Sequence, residues 1–347
     1  MKSRNIKVGW VLTRDYKLAS SRLQGHRVSE YFTEAGLNSS IIAENFYQYE
    51  DGYSQYFFSI LLSILEEKYD VVFFQKPGWM SFKLSEFLRL NGVNTIAIQC
   101  DPFPGQYSDF FDITVFTTRA LKKMLNQKSV TIIDDMLESP VDSFKLDYSQ
   151  PNRRLKIVWV GQGTPNFISD FIKNLSSHEK LKNRIEVVSI SNTEWATYQW
   201  SLESVYTNIL QCDIAIIPLP IDARFHIKST NRLTLFMSLG MPTIVTPIPS
   251  YLEIAKDGRN CILANSLDEF VSAILTCEDE VTRKTIGLDA KKFARKHYSP
   301  SVIGKLWLEL LDDIIDNKGL NKPISSKIHI DIINYALKGY LCIKRCF

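Results

Sequence analysis

Six cysteines, at positions 100, 212, 261, 277, 342 and 346, are scattered with no CxxC pair and no Cys/His metal spacing. That excludes a zinc ribbon, a zinc finger and a CxxC redox motif. Cys212 in LQCDIAIIP and Cys261 in NCILA stand in apolar, strand-like context, where cysteine serves as a small buried hydrophobe. Reduced thiols and a cytosolic chain are expected. Long hydrophobic runs are missing too: FFSILLSIL at 57–65, the longest even with its serines counted, is too short to span a bilayer. The start, MKSRNIKVGWVL, has no apolar stretch of the kind a secretory leader carries. No GxxxxGK[ST] phosphate loop, HExxH or GxSxG motif occurs. Positive charge is scarce where a nucleic-acid binder needs it. The net charge is +3, but residues 318–347 hold six Lys/Arg against one acid, so the remaining chain is slightly acidic. Nucleic-acid binders usually carry a basic face through the body, so no nucleic-acid partner is expected.

What is present is an ordinary globular composition, 45% hydrophobic and 23% charged, over 347 residues, a length that suits two domains. KVGWVL (7–12) reads as a buried strand and SSRLQGHRVSEYFTEAG (20–36) as an amphipathic helix closed by Gly36. SSIIA, a helix near 54–68, DVVFFQ, a helix near 80–91, TIAIQ, FDITVFTT, a helix at 118–127 and VTIID follow. Short β-branched runs alternating with helices predict a parallel sheet covered on both faces. ESPVDSFKLDYSQPNRR (138–154) breaks the rhythm and reads as a linker. The pattern restarts at RLKIVWVGQGTPN and continues through IEVVSI, a helix around 200–211, DIAIIPL, a further helix, PTIVTP and NCILA. The expected fold is α/β, with two tandem Rossmann-like doubly wound domains, 1–150 and 151–300. In such sheets ligands bind beyond the C-terminal strand ends, and the expected site is the cleft between the domains.

The polar cluster Lys228, Ser229, Thr230, Asn231 and Arg232 opens an apolar helix. A hydroxyl there caps the helix, but two cations oppose its dipole unless an anion binds at that end. Lys228 and Arg232 are suited to neutralising a diphosphate, with Ser229, Thr230 and backbone N–H groups completing the cradle. Gly161 and Gly163 in GQG follow a strand, but Asn166 stands where a dinucleotide fingerprint has its third glycine. The pair serves either a tight turn or close approach to a phosphate. Arg22 in ASSRLQ follows the first strand, and His26 lies four residues on, along the same helical face. Asp101 ends a strand and opens DPFPG, as a turn residue or as a carboxylate orienting a hydroxyl. Glu253 in PSYLEIAKDG is placed either to accept from a sugar hydroxyl or to sit in a first helical turn. There is no DxD, so no metal site is expected, and cationic side chains with a helix end must hold any diphosphate leaving group.

CDIAIIPLP…KSTNRLTLFMSLGMPTIVTPIPSYLEIAKDGRNCILA (212–264) resembles the C-terminal domain of GT-B glycosyltransferases, especially the large bacterial group of retaining enzymes. KIVWVG, FDITVFTTRALKKML and ARKHYSPSVIGKLWLELL are similar to further parts of that family. The resemblance implies an acceptor-binding N-terminal domain, a nucleotide-sugar-binding C-terminal domain, a crossover helix at 301–317 returning to the first domain, and a basic amphipathic tail at 318–347. It implies donor contacts at Gly161, Gly163, Lys228, Asn231, Arg232 and Glu253, to which the cradle argument adds Ser229 and Thr230. Asp101 and Arg22 then match acceptor positions, with His26 added because it shares Arg22's helical face, and Asp101, Lys228 and Arg232 are the expected catalytic set. One departure stands out. Many members carry two glutamates in an E-x7-E arrangement, and the matching positions here hold Ile227 and Leu235.

The expected function is metal-independent, retaining transfer of a sugar from a nucleotide diphosphate sugar to a saccharide or lipid-linked saccharide, in cell-surface polysaccharide synthesis. The protein is expected in the cytoplasm. Its tail either docks on its own N-terminal domain or lies on the anionic inner face of the membrane. A sugar-nucleotide epimerase and a non-catalytic GT-B partner subunit are the alternatives.

Overall fold

In the computed structural model of the protein, the described residues are 6–46, 55–101, 110–125, 130–150, 153–161, 165–220 and 225–316. They form two compact units. The first takes in the chain up to Thr117, Leu121–Ile133 and the residues from Gly304 on; the second takes in Thr118–Ala120 and Asp134–Ile303.

The first unit runs β1 (Lys7–Leu12), α1 (Ala19–Ser21), a π-helical turn (Arg22–His26), α2 (Arg27–Glu34), β2 (Asn38–Ala43), α3 (Gln55–Glu66), β3 (Val71–Gln75), α4 (Trp79–Leu90), β4 (Asn94–Gln99), β5 (Ile113–Phe116), α5 (Arg119–Leu125) and β6 (Val130–Ile132). The first residues of α5 group with the second unit. All neighbouring strands pair in parallel, in the order β2-β1-β3-β4-β5-β6. β3, VVFFQ, is buried along its whole length, as a strand covered on both faces must be. Phe57, Ile60, Leu61 and Ile64 of α3 and Leu84 and Leu88 of α4 pack with Val72 and Phe74 of β3 into one core. At Gly36 the chain turns left-handed, φ +84°, and Leu37 N–H bonds back to Phe32 O at 2.9 Å. This is the glycine-closed helix end read from the sequence.

The second unit runs β7 (Leu155–Val160), α6 (Pro165–Ser177), β8 (Ile185–Ser191), β9 (Tyr198–Gln199), α7 (Val205–Leu210), β10 (Ile214–Ile217), α8 (Asn231–Ser238), β11 (Thr243–Val245), α9 (Pro249–Leu252), β12 (Ile262–Leu263), α10 (Leu267–Thr276), α11 (Glu280–Tyr298) and α12 (Pro300–Asp316). Its sheet is parallel in the order β12-β11-β10-β7-β8-β9. α12 passes into the first unit at Gly304, where Trp307 is buried with its ring centroid 5.9 Å from that of Phe73.

Of the stretch at 138–154, read from the sequence as a linker, the described residues 138–150 and 153–154 belong to the second unit. Lys145 is buried and donates from Nζ to Cys212 O at 2.7 Å, and Tyr148 donates its hydroxyl to Gly240 O at 2.8 Å. The buried Asp213 carboxylate, just ahead of β10, takes both guanidinium N–H groups of Arg153, at 2.6 and 2.7 Å, and Lys156 N–H at 2.8 Å. The π-helical turn and the two-residue strand β9 are among the elements not foreseen. Each is too brief to impose a period on the sequence.

Candidate functional site

Strand order fixes where a ligand fits in the second unit. From β7 the chain goes out to β8 and β9 on one side, then returns to β10 on the other. β7 and β10 therefore flank the topological switch point, and the loops beyond their C-terminal ends open a crevice. Gly161 follows β7. The segment 225–230 follows β10 and leads into α8.

These two loops meet. A Cβ placed on Gly161 would lie 2.8 Å from Arg232 Nη2 and 3.0 Å from its Cζ. The guanidinium therefore lies close against the β7 loop, and a side chain at 161 would make it shift. Arg232 sits in the first turn of α8, which holds no acid. Its charge also reaches Tyr251, whose hydroxyl pKa is raised by burial and pulled back by Arg232. Lys228 is exposed, three residues before α8. Ser229 is fixed from two sides: its Oγ accepts Asn231 N–H at 3.2 Å, and its O–H donates to the Asp135 carboxylate. Thr230, the residue before α8, is buried and makes no side-chain cap bond. Its carbonyl accepts Thr234 N–H at 3.0 Å. Ile227 is buried, and Leu235 half-buried.

Around Asp135 lies a group of charges that the sequence reading passed over. Burial, then the charges of Asp135 and Glu253, push the Asp134 carboxyl up to about 7, and Arg119 works against them. Burial, with Asp134 and Glu253 next, also raises the Tyr298 hydroxyl. Glu253 itself caps α5. Its Oε1 accepts Ala120 N–H at 2.6 Å, its Oε2 accepts Arg119 N–H at 3.1 Å, and the Arg119 guanidinium stands 3.8 Å away. Both carboxylate oxygens therefore face a helix end, where the dipole favours a negative charge.

In the first unit the switch point lies between β1 and β3. Thr13, just past β1, donates its hydroxyl to Lys76 O at 2.8 Å. Lys76 has φ +49° and forms an ion pair with Asp101 beyond β4. Lys76 was not singled out in the sequence; its place directly after DVVFFQ is the signal that marks it. Arg22 is 2% exposed and donates to the carbonyls of Tyr16, at 3.1 Å, and Lys17, at 3.3 Å, bracing its own loop. His26 Nε2 is 2.7 Å from Glu44 Oε1.

So the structure gathers Gly161, Ser229, Thr230, Asn231 and Arg232 at one switch point with Lys228 close by in sequence. It holds Glu253 at the α5 end and sets Arg22, His26 and Asp101 in separate contacts. Gly163 lies outside the described residues, as does the tail at 318–347. Among the described residues no three His, Cys, Asp or Glu side chains gather as a metal site, and no helix is long and apolar enough to cross a membrane.

No family model and no curated protein sequence matches the chain. Solved structures do match. A glycosyltransferase from Rickettsia africae ESF-5 superposes with a TM-score of 0.63 at 13% identity, covering 90% of this chain and 100% of its own. HepE of Anabaena, in complex with UDP and glucose, gives 0.65 at 10% identity, covering 88% and 99%. Sucrose-phosphate synthase from Thermosynechococcus elongatus gives 0.64 at 10% identity, covering 90% and 100%. The fold is GT-B. At these identities the likeness is one of fold.

Proposed function

We propose that this GT-B chain is a glycosyltransferase that takes a sugar from a nucleotide diphosphate sugar. The single observation that carries this reading is the Arg232 guanidinium lodged against Gly161 at the β7/β10 switch point, with Lys228 beside α8. Two cations and the N-terminal end of α8 at a crevice of this kind suit a diphosphate. HepE, which shares the fold, is seen with UDP and glucose.

In this reading the diphosphate lies between Gly161 and the start of α8. Arg232 and Lys228 stabilise the negative charge that grows on it as the glycosidic bond breaks, with no metal ion required. Ser229, fixed by Asp135, and Asn231 keep the first turn of α8 in register. The departing phosphate oxygen takes the acceptor's proton on the same face of the sugar, so the anomeric configuration is retained and no protein nucleophile is needed. Glu253, committed to α5, is left out of the donor's contacts. Asp101 with Lys76, together with Arg22 and His26, frames the acceptor end of the reading: a saccharide or lipid-linked saccharide of a cell-surface polymer. A lipid-linked acceptor would bring the basic segment 318–347 to the inner face of the membrane.

The test is a panel of nucleotide diphosphate sugars followed by NMR for released nucleoside diphosphate and for the anomer formed, with and without EDTA. The expected result is turnover of one donor, unaffected by EDTA, with retention, and lowered at least about 100-fold in Arg232→Ala. One observation favours a second reading: the buried Ile227 puts an apolar anchor where many members have a glutamate. Nucleotide binding without turnover of any donor would select that reading, a non-catalytic GT-B partner subunit.

A further inference from the structure

Next to Gly161 the second unit holds an aromatic pair that the phosphate cradle does not use. Trp159, on β7, is fully buried, and its Cζ2 lies 3.2 Å from where a Gly161 Cβ would stand. Its ring is stacked on that of Trp195, with centroids 5.7 Å apart and planes 26° from parallel. Trp195 lies in SNTEWATY, the loop that follows β8, and remains 39% exposed. Arg232, Gly161, Trp159 and Trp195 thus form a continuous row of contacts along the C-terminal edge of the sheet.

Three features make this row a built surface. The loop that carries Trp195 is cross-tied. Thr197 N–H bonds Ser189 Oγ at 2.9 Å, Ala196 N–H bonds Thr193 O at 3.2 Å, and Trp200 N–H bonds Ser191 O at 3.0 Å. A ring held this way loses little freedom when a ligand lands on it. Second, Trp195 has one face covered by Trp159 while much of its surface stays in water, in an otherwise polar loop. Third, the indole N–H of Trp159 is buried and has no hydrogen-bond partner among the described residues, a donor at the base of the row.

We infer that Trp195 is the platform on which the donor's nucleobase stacks, with the diphosphate running from it to Gly161 and Arg232. The inference rests on the donor-site reading and deepens it. A nucleobase offers a planar π-face, which stacks on an aromatic side chain whatever its hydrogen-bonding edge. The sugar belongs at the other end of the diphosphate.

The experiment measures binding by isothermal titration calorimetry with inorganic pyrophosphate and with UDP, GDP, ADP and dTDP, to the full chain and to Trp195→Ala and Trp195→Phe. Circular dichroism confirms the fold of each variant. Trp195→Ala should weaken the best-bound nucleoside diphosphate by about 10-fold or more, and Trp195→Phe by much less. Pyrophosphate should bind all three chains alike. Equal weakening of nucleotide and pyrophosphate would overturn the inference, because Trp195 would then support the phosphate cradle. An unchanged nucleotide affinity in Trp195→Ala would overturn it while leaving the donor site intact. Failure of the unaltered chain to bind any of these ligands would overturn the donor reading and this inference with it.

Discussion

At the scale of residues, the contact between Gly161 and Arg232 carries most of the function argued for this chain. A methyl group on residue 161 would push the guanidinium away from the β7 loop. Gly161→Ala should therefore weaken binding of a nucleoside diphosphate by about 10-fold, as should Arg232→Ala. The double substitution should be little worse than Arg232→Ala alone, since both remove one interaction. Calorimetry on the four chains checks this, and additive losses would show that Gly161 acts apart from Arg232. Asp134 makes a different kind of claim. Its carboxyl, raised to about 7, keeps its proton in the folded chain at pH values where the unfolded chain, at 3.8, has lost it. The folded state then binds more protons between those two values, so this group's contribution falls as pH rises across the window and levels off above it. Asp134→Asn should stabilise the protein at pH 8 by on the order of 2 kcal/mol, after allowance for partial exposure, and by almost nothing near pH 4. Urea unfolding at the two pH values reads the difference. An equal gap at both would rule out a titrating Asp134.

Among the elements, the central strands were legible because they are buried along their length and read as unbroken apolar runs, as in VVFFQ of β3 and IAII of β10. Gly36 marked the end of α2 because only the left-handed turn there makes glycine worth its entropy. The start of α8 reads as an anion site from its own residues, Lys228 to Arg232, and that reading is the one proposed here. What could not be read was partnership over distance. Ser229 meets Asp135 across 94 positions, and Glu253 meets Ala120 across 133. A lone Trp195 in a polar loop gives no sign that Trp159 lies beneath it. Glu253 shows what such a partnership adds to a reading. The sequence allows a sugar contact, and the structure shows both oxygens on the N–H groups of α5. At pH 5.5, where Asp134 is protonated, Glu253→Gln should cost about 1 kcal/mol of stability. Nucleoside diphosphate affinity should not move. A large loss of affinity with stability intact would return Glu253 to the donor.

For the whole molecule, the likeness to solved GT-B structures covers about nine-tenths of the chain at 10–13% identity. Such a fold survives low identity because its sheets need only apolar runs of the right length and glycine or polar turns between them. Site residues are held by chemistry instead, and here the start of α8 carries Lys228 and the seated Arg232 guanidinium, with Ile227 buried and Leu235 half-buried beside them. The claim that this site binds a donor is open to one direct measurement. Thermal unfolding of the purified chain is followed against UDP, GDP, ADP, dTDP and CMP, without and then with magnesium. A ligand bound only by the native state, present at 100 times its Kd, adds about 2.7 kcal/mol. The expected result is a clear upward shift with one nucleoside diphosphate, indifferent to magnesium and lost in the Lys228→Ala/Arg232→Ala double variant. No shift with any of them, or a shift that the double variant keeps, would contradict a donor site at the start of α8.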